Sequence, residues 1–460
     1  MRGARSFAGR TFLWLGAGDV VTRALAFFSS VWLARALGAE AYGSVAVAVG
    51  VLAYLGRVAD FGIESFGTRE AARGPASLAT HIGELITVRL LVAAVAALAV
   101  SGAALLVLPP SEGRLVAAYT LCAFPIALSV RWALLATGRP FVIAMAGAIG
   151  SIVTFVSVRL FVASPAHLGR VAFTQLAGDT VAAALMLFLA MPSLWRARIA
   201  VSEANLPAGR TFSRAVKLGG RVLPLMLQSI LALVMTTADL FFLRASSDGA
   251  TVGRYAAAYA PVALGLSSSA TYAMALLPEL SRGRATREML HALLRGSLWV
   301  TVPIALVCTG TAATWVPRLF GASYVEGRGL FMALVWLVPL SAVRAVAWAS
   351  LVSASRDRTV LGVTALGASA DLLLNAVLVP WLGAPGAVAA TLGSDILRTS
   401  LLVRAAVGAN TTHALVAPAP SEYTGTRPCA RDRNQEAVTS WVMFWSRSRQ
   451  DAQAPSAPDT

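Results

Sequence analysis

Apolar residues occur in long uninterrupted runs, separated by short polar turns, from Phe12 to Val407. A helix crosses the hydrocarbon core of a bilayer in about 20 residues, and about twelve of these runs reach that length. The first set reads Phe12–Ala36, Tyr42–Phe61, Leu85–Leu108, Leu115–Ala136, Phe141–Ala163 and Val171–Met191. The second reads Leu218–Leu243, Tyr255–Leu277, Gly296–Val316, Leu330–Ala354, Thr359–Leu382 and Gly386–Val407. Runs of this length predict an all-α polytopic membrane protein, since a helix satisfies its backbone groups without help from water. Phe12–Ala36 is too long for a signal peptide, carries Arg23 and lacks a small-x-small cleavage site, so it reads as an uncleaved first helix.

The longest inner loop, Pro192 to Lys217, is polar and basic and divides the spans evenly. It predicts a first lobe over residues 1–196, an inter-lobe loop over 197–217 and a second lobe over 218–407. The halves resemble each other. Trp132-Ala133-Leu134-Leu135 running to Arg139 has a counterpart in Trp348-Ala349-Ser350-Leu351 running to Arg356. Gly178-Asp179 likewise matches Gly393-Ser394-Asp395. An even number of helices per half makes the repeats parallel, related by a pseudo-two-fold axis along the membrane normal. From Gly408 the chain turns polar and proline-rich, which predicts a disordered cytoplasmic tail over 408–460. Within that tail, Val438–Trp445 has the aromatic content of a surface-lying segment.

Composition agrees. Hydrophobic residues make up 57%, charged residues 13%, and the mean hydropathy is +0.70; a soluble domain carries about twice that charge. The formal charge of +16 is spread over short loops rather than gathered in a stripe, which excludes a nucleic-acid partner. Roughly seventeen basic residues lie in the loops on the terminal side of the membrane and roughly seven on the other, so both termini are expected in the cytoplasm. Cys122, Cys308 and Cys429 are scattered and predict neither a disulfide framework nor a metal site. The histidines, His81, His167, His291 and His413, form no catalytic pattern, and no phosphate-binding glycine loop is present. No catalytic residue is predicted, and the chain is not expected to be an enzyme.

Ionisable groups at mid-membrane depth are costly and mark cavities or partners. Counting along each span puts Asp19, Arg23, Asp179, Arg344 and Asp371 there. Asp19 with Arg23, Gln175 with Asp179 and Asp371 with Asn375 are each four apart, on one helical face. Arg57 with Asp60 and Asp395 with Arg398 are three apart, nearer the inner surface. Each group taken singly fits a neutralising partner between packed helices, with Gly147 and Gly150 permitting close approach. As a set in both halves they fit a water-filled cleft, in which arginines would meet an anionic substrate through their forked donors.

Several short strings, in order, carry a family resemblance. They are Val31-Trp32-Leu33-Ala34-Arg35-Ala36-Leu37-Gly38, Asp60-Phe61-Gly62-Ile63 and Thr68-Arg69-Glu70-Ala71 in the first half. In the second half come Leu223-Pro224, Ala238-Asp239, Val252-Gly253-Arg254-Tyr255-Ala256 and Asn375-Ala376-Val377-Leu378-Val379-Pro380. The chain resembles the polysaccharide-export, O-antigen-flippase-like branch of the multidrug/oligosaccharidyl-lipid/polysaccharide (MOP) exporter superfamily over residues 10–407. The resemblance implies two six-helix lobes around a central V-shaped cavity in a bacterial inner membrane. The implied cargo is an oligosaccharide on polyprenyl pyrophosphate, flipped to the outer leaflet by alternating access during lipopolysaccharide or other surface-polysaccharide synthesis.

On that reading Arg23 and Arg57 take the positions from which related flippases direct cavity arginines at the pyrophosphate, and Arg344 joins them by depth. Asp19, Asp179 and Asp371 stand as coupling or counter-ion groups, with a proton or sodium gradient as the driving force open to such a carrier and no bound cofactor or metal. The resemblance implies membrane lipids around it and leaves a polysaccharide polymerase and glycosyltransferases open as partners. Two rivals remain. A drug/cation antiporter of the same fold would use an acidic site. A membrane polymerase or ligase would display a large outer loop, which this sequence lacks.

Overall fold

A computed structural model of the chain describes residues 2–60, 75–203, 230–231, 233–280, 287–354 and 356–415. Among these residues the elements are α-helices with two short 3-10 turns, Pro165–Arg170 and Ala322–Gly327. In chain order the helices of the first half are α1 (Arg2–Asp60), α2 (Pro75–Val107), α3 (Pro110–Thr120), α4 (Ala123–Leu128), α5 (Arg131–Ala136), α6 (Pro140–Phe161) and α7 (Val171–Glu203). Those of the second half are α8 (233–246), then α9 (Gly249–Glu279), α10 (Arg287–Phe320), α11 (Arg328–Leu334), α12 (Leu337–Ser353), α13 (Asp357–Leu382) and α14 (Ala384–Leu415).

Ten segments among the described residues are long and apolar enough to cross a membrane, and the first, Gly18–Asp60, has 43 residues and holds two crossings. The two expected spans are joined inside α1 at Gly38, whose φ of 76° and ψ of 172° turn the chain in a conformation a side chain disfavours. The span expected at Leu218–Leu243 is described only in its later part, as α8. Two boundaries differ from expectation. α7 continues through Glu203, past the predicted start of the inter-lobe loop, and α14 continues through Leu415, past Gly408. Val438–Trp445 lies outside the described residues.

The span expected as one helix over Leu115–Ala136 is instead three pieces, α3, α4 and α5. Pro125 removes one backbone donor there, and the break frees carbonyls that lipid cannot satisfy. Arg89 on α2, only 4% exposed, supplies the donors: its Nη1 bonds the Ser129 carbonyl at 2.7 Å and its Nη2 the Ile126 carbonyl at 2.9 Å. The matching span of the second half is also broken, between α11 and α12 and just before Pro339. The repeated strings end alike as well. The Arg139 N–H bonds the Leu134 carbonyl and the Arg356 N–H the Leu351 carbonyl, each at 2.9 Å and each five residues back. By contrast Pro261 and Pro303 sit within continuous helices.

The largest core cluster draws on both halves around the Gly38 end of the bundle, with Val31, Leu37 and Tyr42 packed among Val252, Tyr255 and Tyr324. Tyr324 also donates across the halves to the Ala34 carbonyl at 3.0 Å. At the other end each half has a cluster of its own, Leu85, Trp132 and Met186 in the first and Leu290, Val346 and Leu402 in the second. Helices fused at one end and separately cored at the other form a V. The fused end is held by close backbone contact between α1 and α9: a Cβ on Gly43 would stand 2.1 Å from the Gly249 carbonyl oxygen, and one on Gly253 1.9 Å from that of Ala39. Beside it Arg244 on α8 forks onto Glu112 of α3, its Nη2 at 2.8 Å from each carboxylate oxygen, and Ser44 donates to the same carboxylate at 2.8 Å. Asp248, outside the spans, caps α9 by accepting from the Thr251 N–H at 3.2 Å, and the bonds from Thr251 hold its carboxyl below the usual range.

Candidate functional site

The second part of α1 presents one continuous helical face to two adjoining cavities in the first half. Tyr42, Val45, Ala46 and Val49 line a cavity of about 490 Å³. Val49, Leu52, Gly56, Arg57 and Asp60 line the next, of about 500 Å³. Val49, Asp179 and Ala182 border both. At 1.5 Å per residue, Tyr42 and Arg57 lie about 22 Å apart along this face. The cavity near Arg57 sits at the open end of the V, because Arg57 occupies the last turn of α1; the other reaches back toward Gly38.

The open-end cavity carries the charge. Arg57, Arg89 and Arg131 line it together with Asp60 and Asp179. Asp60, expected to face Arg57, lies instead 3.3 Å from Nη2 of Arg89. Arg89 is thus committed to Asp60 and to the α4–α5 carbonyls. Arg57 is exposed to the cavity, and among the described residues it forms no hydrogen bond or ion pair. Asp179 accepts from Gln175 Nε2 at 2.9 Å, as their spacing predicted, and stands in the shared wall. Gly150 packs against Gly178 on the same wall: a Cβ there would lie 2.7 Å from the Gly178 carbonyl oxygen.

Arg23 is placed differently. Its Nε donates to Asp19 Oδ2 at 2.6 Å, as expected, and its Nη1 donates to Ser267 Oγ on α9 at 2.7 Å. The pair is half exposed, with 45% of the Arg23 side chain and 38% of the Asp19 side chain accessible. A slot of about 230 Å³ lies beside it, lined by Arg23, Ser30, Leu264 and Ser267.

Arg344 meets Asp395, and Arg398 Nη2 donates to the same carboxylate at 2.7 Å. The expected Asp395–Arg398 contact therefore forms, and Arg344 is drawn into a buried ionic network. Asp371, 2% exposed, accepts from Ser394 at 2.8 Å. Asn375 bonds the Asp371 main-chain carbonyl at 2.9 Å rather than its carboxylate, and its own Oδ1 is buried without a partner among the described residues. Asp239 completes the group, buried with Tyr255, Thr391 and the Leu240 N–H as its donors. Of these three carboxylates, Asp395 pairs with both Arg344 and Arg398, whereas Asp239 and Asp371 are held by hydroxyls and a main-chain N–H.

Two residues and one group were not singled out from the sequence: Arg89, Asp239 and the serine, threonine and tyrosine hydroxyls lining the cavity nearer Gly38. Arg89 lies within the apolar run Leu85–Leu108, close enough to its start to pass as a snorkelling cation. Asp239 stood only as part of a family string, although its mid-span position carried the same cost as Asp371.

The architecture recurs in solved structures. An inward-facing MATE-family multidrug resistance transporter of the MOP superfamily aligns with a TM-score of 0.64 at 15% identity, covering 85% of this chain and 96% of the other. The lipid II flippase MurJ in an inward closed conformation aligns with a TM-score of 0.64 at 13% identity, covering 96% of this chain and 100% of the other. An outward-facing MATE transporter aligns with a TM-score of 0.57 at 14% identity, over 89% and 96%. At these identities the likeness establishes the two-lobe transporter fold. By sequence, no curated protein matches the chain. The profile of the family described as "Polysaccharide biosynthesis protein" matches residues 8–284, more than half of the chain. The chain belongs to the polysaccharide biosynthesis protein family.

Proposed function

We propose that this protein flips an oligosaccharide carried on polyprenyl pyrophosphate from the inner to the outer leaflet by alternating access. The observation that carries the reading is Arg57, a guanidinium with no protein partner among the described residues, facing a cavity at the open end of the V. Arg57 is exposed to the cavity and holds no carboxylate among the described residues, so its fork of donors is free for an anion that arrives with the substrate. Pyrophosphate fits, because its oxygens accept the fork of a guanidinium two at a time. Arg131 borders the same mouth and adds positive potential. The family to which the chain belongs and the flippase MurJ among its structural neighbours support the same class of cargo.

Coupling belongs to the second half. Asp371 and Asp239, with the unpartnered Asn375 Oδ1, offer oxygen ligands, and among the described residues neither carboxylate is hydrogen-bonded to a guanidinium. That is the chemistry of a site for a proton or a sodium ion, which would change its occupancy as the halves rock. Asp179 serves the cargo side on this account, and Asp19 orients Arg23.

The same buried carboxylates, Asp239 and Asp371, are the feature that favours the second reading, a drug/cation antiporter. Purified protein in proteoliposomes separates them. The flippase reading expects translocation of a labelled polyprenyl-pyrophosphate-linked sugar and no proton- or sodium-driven efflux of lipophilic cations. Efflux of cations without movement of the lipid-linked sugar would establish the antiporter.

A further inference from the structure

The cavity nearer Gly38 differs in chemistry from its neighbour. No arginine, lysine or histidine lines it among the described residues; its polar groups are hydroxyls, one amide and one carboxylate. Serine and threonine inside this bundle commonly return their hydroxyl to a carbonyl of their own helix, as Ser29 does to Leu25 at 2.9 Å and Thr301 to Ser297 at 2.7 Å. Thr22, Ser151, Thr154 and Tyr119 do not: among the described residues their hydroxyls have no partner, and all four line this cavity. Tyr119 is buried and the other three are part-buried, with Thr154 Oγ1 packed beside Gly178; hydroxyls withheld from their own helices on a cavity wall keep donor and acceptor capacity for what occupies the space. Thr22 comes from α1, Tyr119 from α3, and Ser151 and Thr154 from α6; across from them Gln175 and Asp179 come from α7. Four helices thus converge donors and acceptors on one volume of about 490 Å³, within the ~300–1,000 Å³ usual for small-molecule sites.

We infer that this cavity is the sugar subsite: it takes the neutral, polyhydroxylated part of the cargo while Arg57 holds the pyrophosphate in the adjoining cavity. The assignment rests on the flippase reading above and adds a direction to it. A hydroxyl accepts and donates at once, so a wall of hydroxyls matches a sugar at many orientations without a charge to repel it. The carboxylate of Asp179 supplies acceptor capacity for two sugar hydroxyls and is oriented by Gln175. Asp179 also borders the arginine cavity, so it sits where the pyrophosphate joins the first sugar. The cargo therefore enters sugar-first toward the Gly38 end, with its phosphates at the mouth. Discrimination among cargoes follows from the inner cavity, since the mouth reads only the phosphate shared by all of them.

The test uses matched probes: farnesyl pyrophosphate, and farnesyl pyrophosphoryl sugars bearing one hexose, one N-acetylhexosamine or a disaccharide. Binding to the purified full-length protein is measured by microscale thermophoresis or calorimetry. Wild type is expected to bind at least one glycosylated probe about tenfold or more tighter than the bare pyrophosphate. Thr154→Val should remove about two- to tenfold of that gain and leave the bare pyrophosphate unchanged. Asp179→Asn should remove about two- to tenfold of the gain without weakening the bare pyrophosphate, since it takes a negative charge from the wall of the arginine cavity. Ser151→Ala, a smaller change, provides the same readout should either variant fold poorly. Arg57→Ala should weaken all probes together. A sugar gain that survives the Thr154, Asp179 and Ser151 substitutions overturns the subsite, as does the absence of any gain in wild type while the bare pyrophosphate binds. Failure of every probe, the bare pyrophosphate included, would overturn the flippase reading and the subsite with it.

Discussion

Arg23 on α1 spans the two halves of the bundle: its Nη1 donates to Ser267 Oγ on α9 at 2.7 Å while its Nε holds Asp19. The intrahelical pair is half exposed, so its worth to stability is that of a solvated pair, about 0.2–1 kcal/mol. Arg23→Ala, Asp19→Ala and the double variant should therefore melt close to wild type. If Arg23 meets the cargo, as the family resemblance implies, Arg23→Ala should reduce translocation, Arg23→Lys should recover part of it, and Asp19→Ala should not rescue Arg23→Ala. A double-mutant cycle with stability and transport read in parallel checks this, and rescue of transport by the double variant would remove the cargo role from Arg23.

Asp395 shows the opposite balance. It is 6% exposed and serves both Arg344 and Arg398. Asp395→Ala leaves two part-buried guanidiniums without their shared anion and should destabilise the protein, by up to about 3 kcal/mol. Arg344→Ala should cost less, because Arg398 still covers Asp395. Thermal unfolding in detergent decides the order, and loss of transport in either variant should follow loss of folded protein. A well-folded Arg344→Ala that fails to transport would restore Arg344 to the cargo site.

These contrasts mark what was legible in the sequence. Span length and loop charge suffice for a helical, polytopic chain, because lipid leaves the backbone no other economical way to satisfy itself. The four-apart pairs Asp19–Arg23 and Gln175–Asp179 were readable because both partners share one helix. Partners on different helices were not: Asp60 with Arg89, Arg344 with Asp395 and Glu112 with Arg244 depend on which helices become neighbours. The break at Pro125 was visible as a proline, but that Arg89 would satisfy the freed carbonyls required the fold. The open hydroxyls of the inner cavity were invisible for a related reason, since a serine or threonine that returns its bond to its own helix looks the same in sequence as one that does not.

The Gly38 end should open through the Glu112–Arg244 contact, the ion pair that joins α3 to α8 across the halves. Spin labels at Ser111 and Ser246 flank it. Glu112→Gln is expected to broaden their distance distribution toward longer separations, and the charge exchange Glu112→Arg with Arg244→Glu to narrow it again. An unchanged distribution in Glu112→Gln would leave the seal to the glycine contacts of α1 with α9.

The second-half carboxylates make a separate claim about energy supply. Asp371→Asn removes one negative charge while keeping the hydrogen-bonding shape that Ser394 meets. Downhill exchange of cargo should persist in this variant, whereas acceleration by a sodium or proton gradient should be lost. Gradient-driven transport at the wild-type rate would show that coupling lies elsewhere.

The central claim is that Arg57 receives the pyrophosphate. The direct measurement is translocation of a fluorescent polyprenyl-pyrophosphate-linked sugar in proteoliposomes containing wild type, Arg57→Lys or Arg57→Ala, with thermal stability recorded on the same preparations. The account predicts wild-type stability in both variants, because Arg57 has no protein partner to lose among the described residues. It predicts partial translocation for Arg57→Lys, which keeps the charge but not the fork, and a loss of about tenfold or more for Arg57→Ala. Translocation by Arg57→Ala at the wild-type rate would contradict it.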